Sequence, residues 1–110
     1  MSFKISKQED VTLVEVDGEL TVGNRERFKQ VVLQRLEAGE RKFVMDFAES
    51  SYIDSTGLGS LVSLSRKVRE AGGRLLLAGL NEDLRTLFEL TKLDSVFEIA
   101  DSRAAAMSGL

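Results

Sequence analysis

The sequence predicts an α/β protein: a mixed β-sheet of about five strands covered by helices, in the element order β-β-α-β-α-β-α-β-α. Two observations support this prediction. Short apolar runs, several of them rich in β-branched residues, alternate with segments whose apolar residues recur every three or four positions, as strands and amphipathic helices do. The first two runs are separated by only three polar residues, which indicates an antiparallel hairpin, whereas the later strands are joined through helices and are therefore parallel.

The first half of the chain is predicted to contain three strands and one helix. Residues 3–7 and 11–16 form the opening hairpin, and residues 17–18 (Asp-Gly) end its second strand. The helix stops at Gly39, and its inward positions are Phe28, Val31, Val32 and Leu36. Residues 42–47 are mostly apolar, so we expect a central strand that is buried on both faces.

The second half is predicted to alternate helix and strand. A long helix has apolar positions at Leu58, Leu61, Val62, Leu64, Val68 and Ala71. After a glycine turn, residues 74–78 form a strand, and residues 96–99 form a short final one. Between them Asn81 caps a helix whose inward residues are Leu84, Leu87, Phe88 and Thr91. Asp101 or Ser102 caps a last small helix over residues 103–107.

Length and composition limit the class of protein. At 110 residues the chain suits a single domain over residues 1–110. Its 43% hydrophobic and 30% charged residues are ordinary for a soluble globular protein. No apolar run approaches the roughly 20 residues that a membrane-spanning helix needs. The N-terminus lacks the features of a secretion signal, so we expect a cytoplasmic protein without a membrane span.

Missing residue types argue against catalysis. The chain has no histidine and no cysteine, which removes a Ser-His-Asp triad, thiolate chemistry and the common zinc sites. We therefore expect no enzyme activity, no metal and no cofactor. A net charge of −3 with interspersed acidic and basic residues also argues against direct binding of nucleic acid, which requires a concentrated basic surface.

The most informative stretch is residues 52–59, Tyr-Ile-Asp-Ser-Thr-Gly-Leu-Gly, where a strand pattern stops and the long helical pattern begins. Asp54, Ser55 and Thr56 are all residue types that cap helices, so one of them is expected to accept a hydrogen bond from a free backbone N–H group. Gly57 and Gly59 each lower helix propensity by about 1 kcal/mol relative to alanine. Close packing of the helix on the sheet is the favoured explanation for both glycines, and exposed amides within reach of a partner are the alternative.

Residues 43–59 resemble the signature of the anti-sigma factor antagonist family, whose fold is the STAS domain. The shared feature is a strand, a short loop and then D-S-(S/T)-G-L-G at the start of a helix. The resemblance implies that Ser55 is the residue phosphorylated by a partner kinase. It further implies that the unphosphorylated protein binds an anti-sigma factor with serine kinase activity and releases a sigma factor. A phosphoserine phosphatase would reverse the modification.

The resemblance also implies a partner-binding surface, formed by Asp54, Ser55, Thr56, Gly57, Leu58, Gly59 and Thr21. Leu58 is expected to be its exposed apolar contact. Members of the family often carry an aspartate after Gly-Glu-Leu, where this chain has Thr21, so the surface of that loop differs here. A phosphate on Ser55 is favoured by the amides of a helix start and opposed by the charge of Asp54.

Other interpretations of the same corner remain open. In the simplest interpretation, Asp54 and Ser55 act only as a helix cap. In another, the chain is a non-switching STAS scaffold or an accessory subunit of a sensory or transport complex. A serine hydrolase at Ser55 is disfavoured because the sequence offers no histidine as a general base.

Overall fold

The structure is a computed structural model that describes residues 2–110. Its elements follow the predicted order, which confirms the mixed α/β fold. The strands are β1 (Ser2–Gln8), β2 (Val11–Leu20), β3 (Lys42–Ile53), β4 (Arg74–Ala78) and β5 (Glu98–Ala100). The helices are α1 (Arg25–Glu37), α2 (Ser55–Glu70), α3 (Glu82–Leu90) and α4 (Arg103–Ser108), and a 3₁₀ turn (Leu93–Ser95) precedes β5.

The five strands form one sheet in the order β1-β2-β3-β4-β5. β1 is antiparallel to β2, and the other neighbours are parallel, as the hairpin and the helical connections predict. β3 is the central strand, and Met45 at its middle pairs with Val14 on one side and Leu77 on the other. Leu20 pairs with Ile53, so β2 and β3 end together and the segments that follow them start at one edge of the sheet.

The two faces of the sheet are covered unequally. One face packs against α1, α2 and α3 in a core that contains the fully buried rings Phe28, Phe43, Phe47 and Phe88. The other face packs against α4 in a smaller cluster whose buried members are Val11, Leu13, Val44, Leu76, Ala78 and Ala106. β3 is therefore buried on both sides along its first half, as its continuous apolar run predicts.

The short helix α4 is attached by polar contacts as well as by apolar ones. Ser102 caps it by accepting from the backbone N–H of Ala105 at 3.1 Å, so Ser102 rather than Asp101 is the capping residue. Arg103 donates from Nε to Oδ2 of the buried Asp46 at 2.9 Å and also pairs with Glu15. These pairs join α4 to both β2 and β3.

The strands β2 and β3 are longer than the sequence predicts. Asp17 and Gly18 do not end β2, which continues to Leu20, because register shifts after Glu15 and after Gly18 absorb the irregularity. Gly18 has φ 89°, a conformation suited to glycine, and its carbonyl accepts from the Ser50 hydroxyl at 2.9 Å. β3 likewise continues past residue 47 to Ile53.

Smaller differences occur near the ends of other elements. Thr91 and Ala71, both expected to face inward, are exposed C-cap residues of α3 and α2. The Thr91 hydroxyl donates to the Leu87 carbonyl at 2.8 Å, so it caps rather than packs. The final strand begins at Glu98 instead of residue 96, because Val96 is the C-cap residue of the 3₁₀ turn and has helical backbone angles. None of the helices within residues 2–110 is both long and apolar enough to cross a bilayer.

Candidate functional site

The corner between β3 and α2 is formed by Asp54, which is the N-cap residue of α2. Its backbone is extended, with φ −87° and ψ 179°. The Asp54 N–H donates to the Leu20 carbonyl at 3.1 Å, and its carbonyl accepts from the Leu58 N–H at 2.9 Å. Asp54 is therefore fixed to the end of β2 and to the first turn of α2 by its backbone alone.

The Asp54 carboxylate adds a second set of bonds. Oδ1 accepts from the Gly57 N–H at 2.7 Å and from the Thr56 hydroxyl at 2.7 Å. Oδ2 accepts from the N–H of Val22, in the loop between β2 and α1, at 3.1 Å. The bond from the Gly57 amide, followed by that from Thr56, lowers the pKa of Asp54 below its ordinary value, so the group is anionic at neutral pH. Among the three candidate caps, Asp54 is the one that caps.

The two hydroxyls that follow Asp54 have different surroundings. Ser55 is the first residue of α2 and is exposed to solvent. Thr56 is half-buried, and its hydroxyl proton is directed at the Asp54 carboxylate. Ser55 consequently presents the accessible hydroxyl of the pair.

The two glycines of the corner also differ. Gly57 is buried, and a Cβ at this position would lie 2.5 Å from the Leu20 carbonyl oxygen and 3.0 Å from Cγ2 of Ile53. Gly57 therefore allows α2 to pack closely on the sheet, as the favoured explanation predicts. A Cβ on the exposed Gly59 would meet nothing within 4 Å, so the packing explanation is wrong for Gly59. The outward side of α2 is therefore open at Gly59, one turn after Ser55.

The loop between β2 and α1 lies beside this corner. Thr21 is half-buried, and its N–H donates to Oδ1 of Asn24 at 3.0 Å. Asn24 in turn donates from Nδ2 to the Glu19 carbonyl at 2.9 Å. The structure thus brings Thr21 into the same region as residues 54–59, through its neighbour Val22 and the bond from Val22 to Asp54.

Exposed apolar side chains flank the corner, but they are not the expected one. Leu58 is half-buried and packs partly against the main core rather than standing exposed. Val22 is 66% exposed and Tyr52, two residues before Asp54, is 51% exposed. Neither residue was predicted from the sequence to belong to the site. The available signal for Val22 was an isolated valine in the otherwise polar loop of residues 21–24.

Comparison with known proteins places the chain in a family. The profile of the STAS domain matches residues 2–106. The anti-sigma-B factor antagonist of Bacillus subtilis is 30% identical over 91% of this chain and 91% of its own length. BtrV of Bordetella bronchiseptica is 28% identical over 96% of this chain and 91% of its own length.

A solved structure has the same fold along nearly the whole chain. The crystal structure of a Thermotoga maritima homologue superposes with a TM-score of 0.92 at 29% identity, covering 97% of this chain and 92% of the homologue. Together with the profile match and the Bacillus subtilis relative, this similarity extends well beyond the corner at Asp54. The chain belongs to the anti-sigma factor antagonist family, whose fold is the STAS domain.

Proposed function

We propose that this protein is an anti-sigma factor antagonist whose unphosphorylated form binds an anti-sigma factor with serine kinase activity and thereby releases a sigma factor. Phosphorylation of Ser55 ends the binding. The observation that carries the proposal is that Ser55 is exposed at the first position of α2. The neighbouring Thr56 hydroxyl already donates a hydrogen bond to the Asp54 carboxylate. Of the two consecutive hydroxyls at the helix start, the one that is exposed to a kinase is therefore that of Ser55.

The partner would bind a surface that we call the docking surface, formed by Thr21, Val22, Tyr52, Asp54, Ser55, Thr56, Gly57, Leu58 and Gly59. Val22, whose N–H is bonded to Asp54, and Tyr52, two residues before Asp54, are both exposed, and a protein partner that covered them would remove apolar area from water. Gly59, one turn after Ser55, leaves the outward side of α2 free of side-chain bulk. Exposed apolar side chains near an exposed serine hydroxyl suit an interface that is controlled by modification.

A phosphate on Ser55 would change this surface by charge. It adds about −1.5 to −2 charges at neutral pH, directly after the anionic Asp54. The Gly57 amide, which would otherwise attract an anion at the helix start, is already bonded to Asp54. Burying an uncompensated charge in an interface costs several kcal/mol, and each 1.4 kcal/mol lowers affinity about tenfold. Modification would therefore weaken binding by orders of magnitude while the core stays intact.

The chain acts as a single STAS domain in the cytoplasm, since its target controls a sigma factor of the transcription machinery. It receives the phosphate from the partner kinase and does not itself catalyse the transfer. A phosphoserine phosphatase restores the binding form.

The proposal is tested by phosphorylation with purified components. The protein is incubated with ATP and the serine-kinase anti-sigma factor of the same organism, and the intact mass is measured. We expect one phosphate on the wild type, none on Ser55→Ala, and one on Thr56→Ala, which is the matched control at the neighbouring hydroxyl. Equal phosphorylation of wild type and Ser55→Ala would remove Ser55 from this role, and no kinase binding at all would favour a non-switching STAS subunit.

A further inference from the structure

The Asp54 carboxylate connects two segments that are 32 residues apart in sequence. Oδ1 accepts hydrogen bonds from Gly57 and Thr56 of α2, and Oδ2 accepts one from Val22 in the loop between β2 and α1. A helix cap needs only the first of these bonds. The bond to Val22 is therefore an additional feature of this residue.

The loop has its own internal bonds, but they connect it to α1 rather than to α2. The Thr21 carbonyl accepts from the N–H groups of Asn24 and Arg25 at 3.1 and 3.0 Å. Asn24 closes the loop on itself through its side-chain contacts with Thr21 and Glu19. The bond from the Val22 N–H to Asp54 connects the middle of the loop to the residue that precedes Ser55.

We propose that Asp54 is a positioning residue that holds the exposed Val22 side chain in a defined place beside Ser55, so that loop and helix start form one docking surface. The role in partner binding rests on the proposed function, whereas the attachment of the loop is a property of the free protein. An anchored apolar side chain loses less conformational freedom on binding than a mobile one, which favours affinity.

Two substitutions separate this role from helix capping. In Asp54→Asn the side-chain carbonyl still accepts from the Gly57 N–H, but an NH₂ group replaces Oδ2 and faces the Val22 N–H, which is also a donor. Asp54→Ser keeps a preferred cap residue with a single, shorter oxygen that serves one segment only. Both variants retain the cap and lose the bond to the loop.

The attachment is measured on the free protein by amide hydrogen exchange followed by NMR. In both variants we expect the Val22 amide to exchange at least about tenfold faster, because a hydrogen bond to a charged group is lost. Amides in the middle of α2 should keep their wild-type rates, and Asp94→Asn, which removes one exposed charge in the 3₁₀ turn, should change neither. An unchanged Val22 rate would overturn the proposal, as would equal acceleration of Val22 and of α2.

The effect on the docking surface is measured with the same kinase. We expect Asp54→Asn to raise KM for phosphorylation of Ser55 about tenfold and to leave kcat within about twofold. In a Val22→Ser background, Asp54→Asn should raise KM little further, because both substitutions remove the same interaction with the kinase. Additive effects would overturn the positioning role. If the wild type is not phosphorylated, the proposed function fails, and hydrogen exchange still decides whether Asp54 holds the loop.

Discussion

At the scale of single residues, adjacent positions of one motif have different physical tasks. Gly57 and Gly59 are two residues apart, yet only Gly57 lies against the sheet, where a Cβ would approach the Leu20 carbonyl to 2.5 Å. Ser55 and Thr56 are consecutive hydroxyls, yet Thr56 is bonded to the Asp54 carboxylate and Ser55 is exposed. The functional assignment of the corner depends on these differences.

Alanine at the two glycines should have opposite effects on stability. Gly57→Ala forces α2 away from the end of β2 and should lower the free energy of unfolding by about 1–3 kcal/mol. Gly59→Ala enters open space within a helix and should raise it by about 0.5–1 kcal/mol. Urea denaturation of both variants measures the difference, and equal effects would contradict the close packing of Gly57.

A permanent negative charge at Ser55 should separate binding from folding. Ser55→Asp places an anion in the first turn of α2, which the helix dipole tolerates, so the melting temperature should stay within about 3 °C of wild type. Binding to the anti-sigma factor should weaken by at least about tenfold. Differential scanning calorimetry measures the melting temperature, and isothermal titration calorimetry measures the affinity. Thr86→Asp, at an exposed site on α3, is the charge-matched control. A large loss of folding would instead indicate that Ser55 has a structural role.

At the scale of elements, α4 shows how a short helix is retained on a sheet. Six residues form too few helical hydrogen bonds for independent stability. The helix instead depends on the buried Ala106 and on Arg103, which bridges Glu15 and Asp46. Asp46 is buried, so removal of Arg103 would leave its carboxylate without this cationic partner.

Removal of Arg103 should therefore destabilise the protein measurably. Because the Arg103 side chain is 40% exposed, solvent screens the pair, and Arg103→Ala should cost about 1–2 kcal/mol rather than the ~3–5 kcal/mol of a fully buried pair. Arg85→Ala breaks a pair with Asp101, whose side chain is 91% exposed, and should cost less than about 1 kcal/mol. Denaturant titrations that rank the two variants in the reverse order would contradict this account.

At the scale of the whole molecule, parallel pairing of β2 and β3 creates the site. Leu20 and Ile53 are partners at the ends of these strands, so both following segments begin at one edge of the sheet. Ligand and partner sites of α/β sheets commonly lie at the carboxyl ends of parallel strands. The proposed docking surface occupies that edge, whereas α4 lies on the sheet face opposite α1, α2 and α3.

Ionised carboxylates contribute to the stability of the whole fold. Burial of Glu40 opposes its ionisation, but hydrogen bonds from Thr12 and Arg35 outweigh that effect and lower its pKa below the ordinary value of 4.5. The bond from the Gly57 amide lowers the pKa of Asp54 below the ordinary 3.8. A group with a lowered pKa in the folded state binds protons more readily when the chain is unfolded.

The free energy of unfolding should therefore be lower in acid than at neutral pH. The contributions of Glu40 and Asp54 are complete above their unfolded values of 4.5 and 3.8, and they are lost as pH falls through the lower folded values. Urea denaturation at a series of pH values from 7 to 3 measures this slope. In Glu40→Gln the slope should be shallower, and an identical slope would contradict the assigned role of Glu40.

The sequence by itself determined the element order, the inward face of α1 at Phe28 and Val32, and the position of Ser55 at the start of a helix. These features follow from local chemistry, because apolar periodicity and capping preferences act over a few neighbouring residues. For the same reason, the local pattern did not distinguish Gly57 from Gly59, and it did not decide which of Asp54, Ser55 and Thr56 caps α2.

Only the tertiary structure decided how Gly57 differs from Gly59 and that Asp54 is the capping residue. The contact of Gly57 with Leu20 and the bond from Val22 to Asp54 join residues that are far apart in the chain. The lengths of β2 and β3 depend on register shifts between strands rather than on the residues of either strand alone. Such features arise when distant segments pack together, so the pattern of any one segment does not contain them.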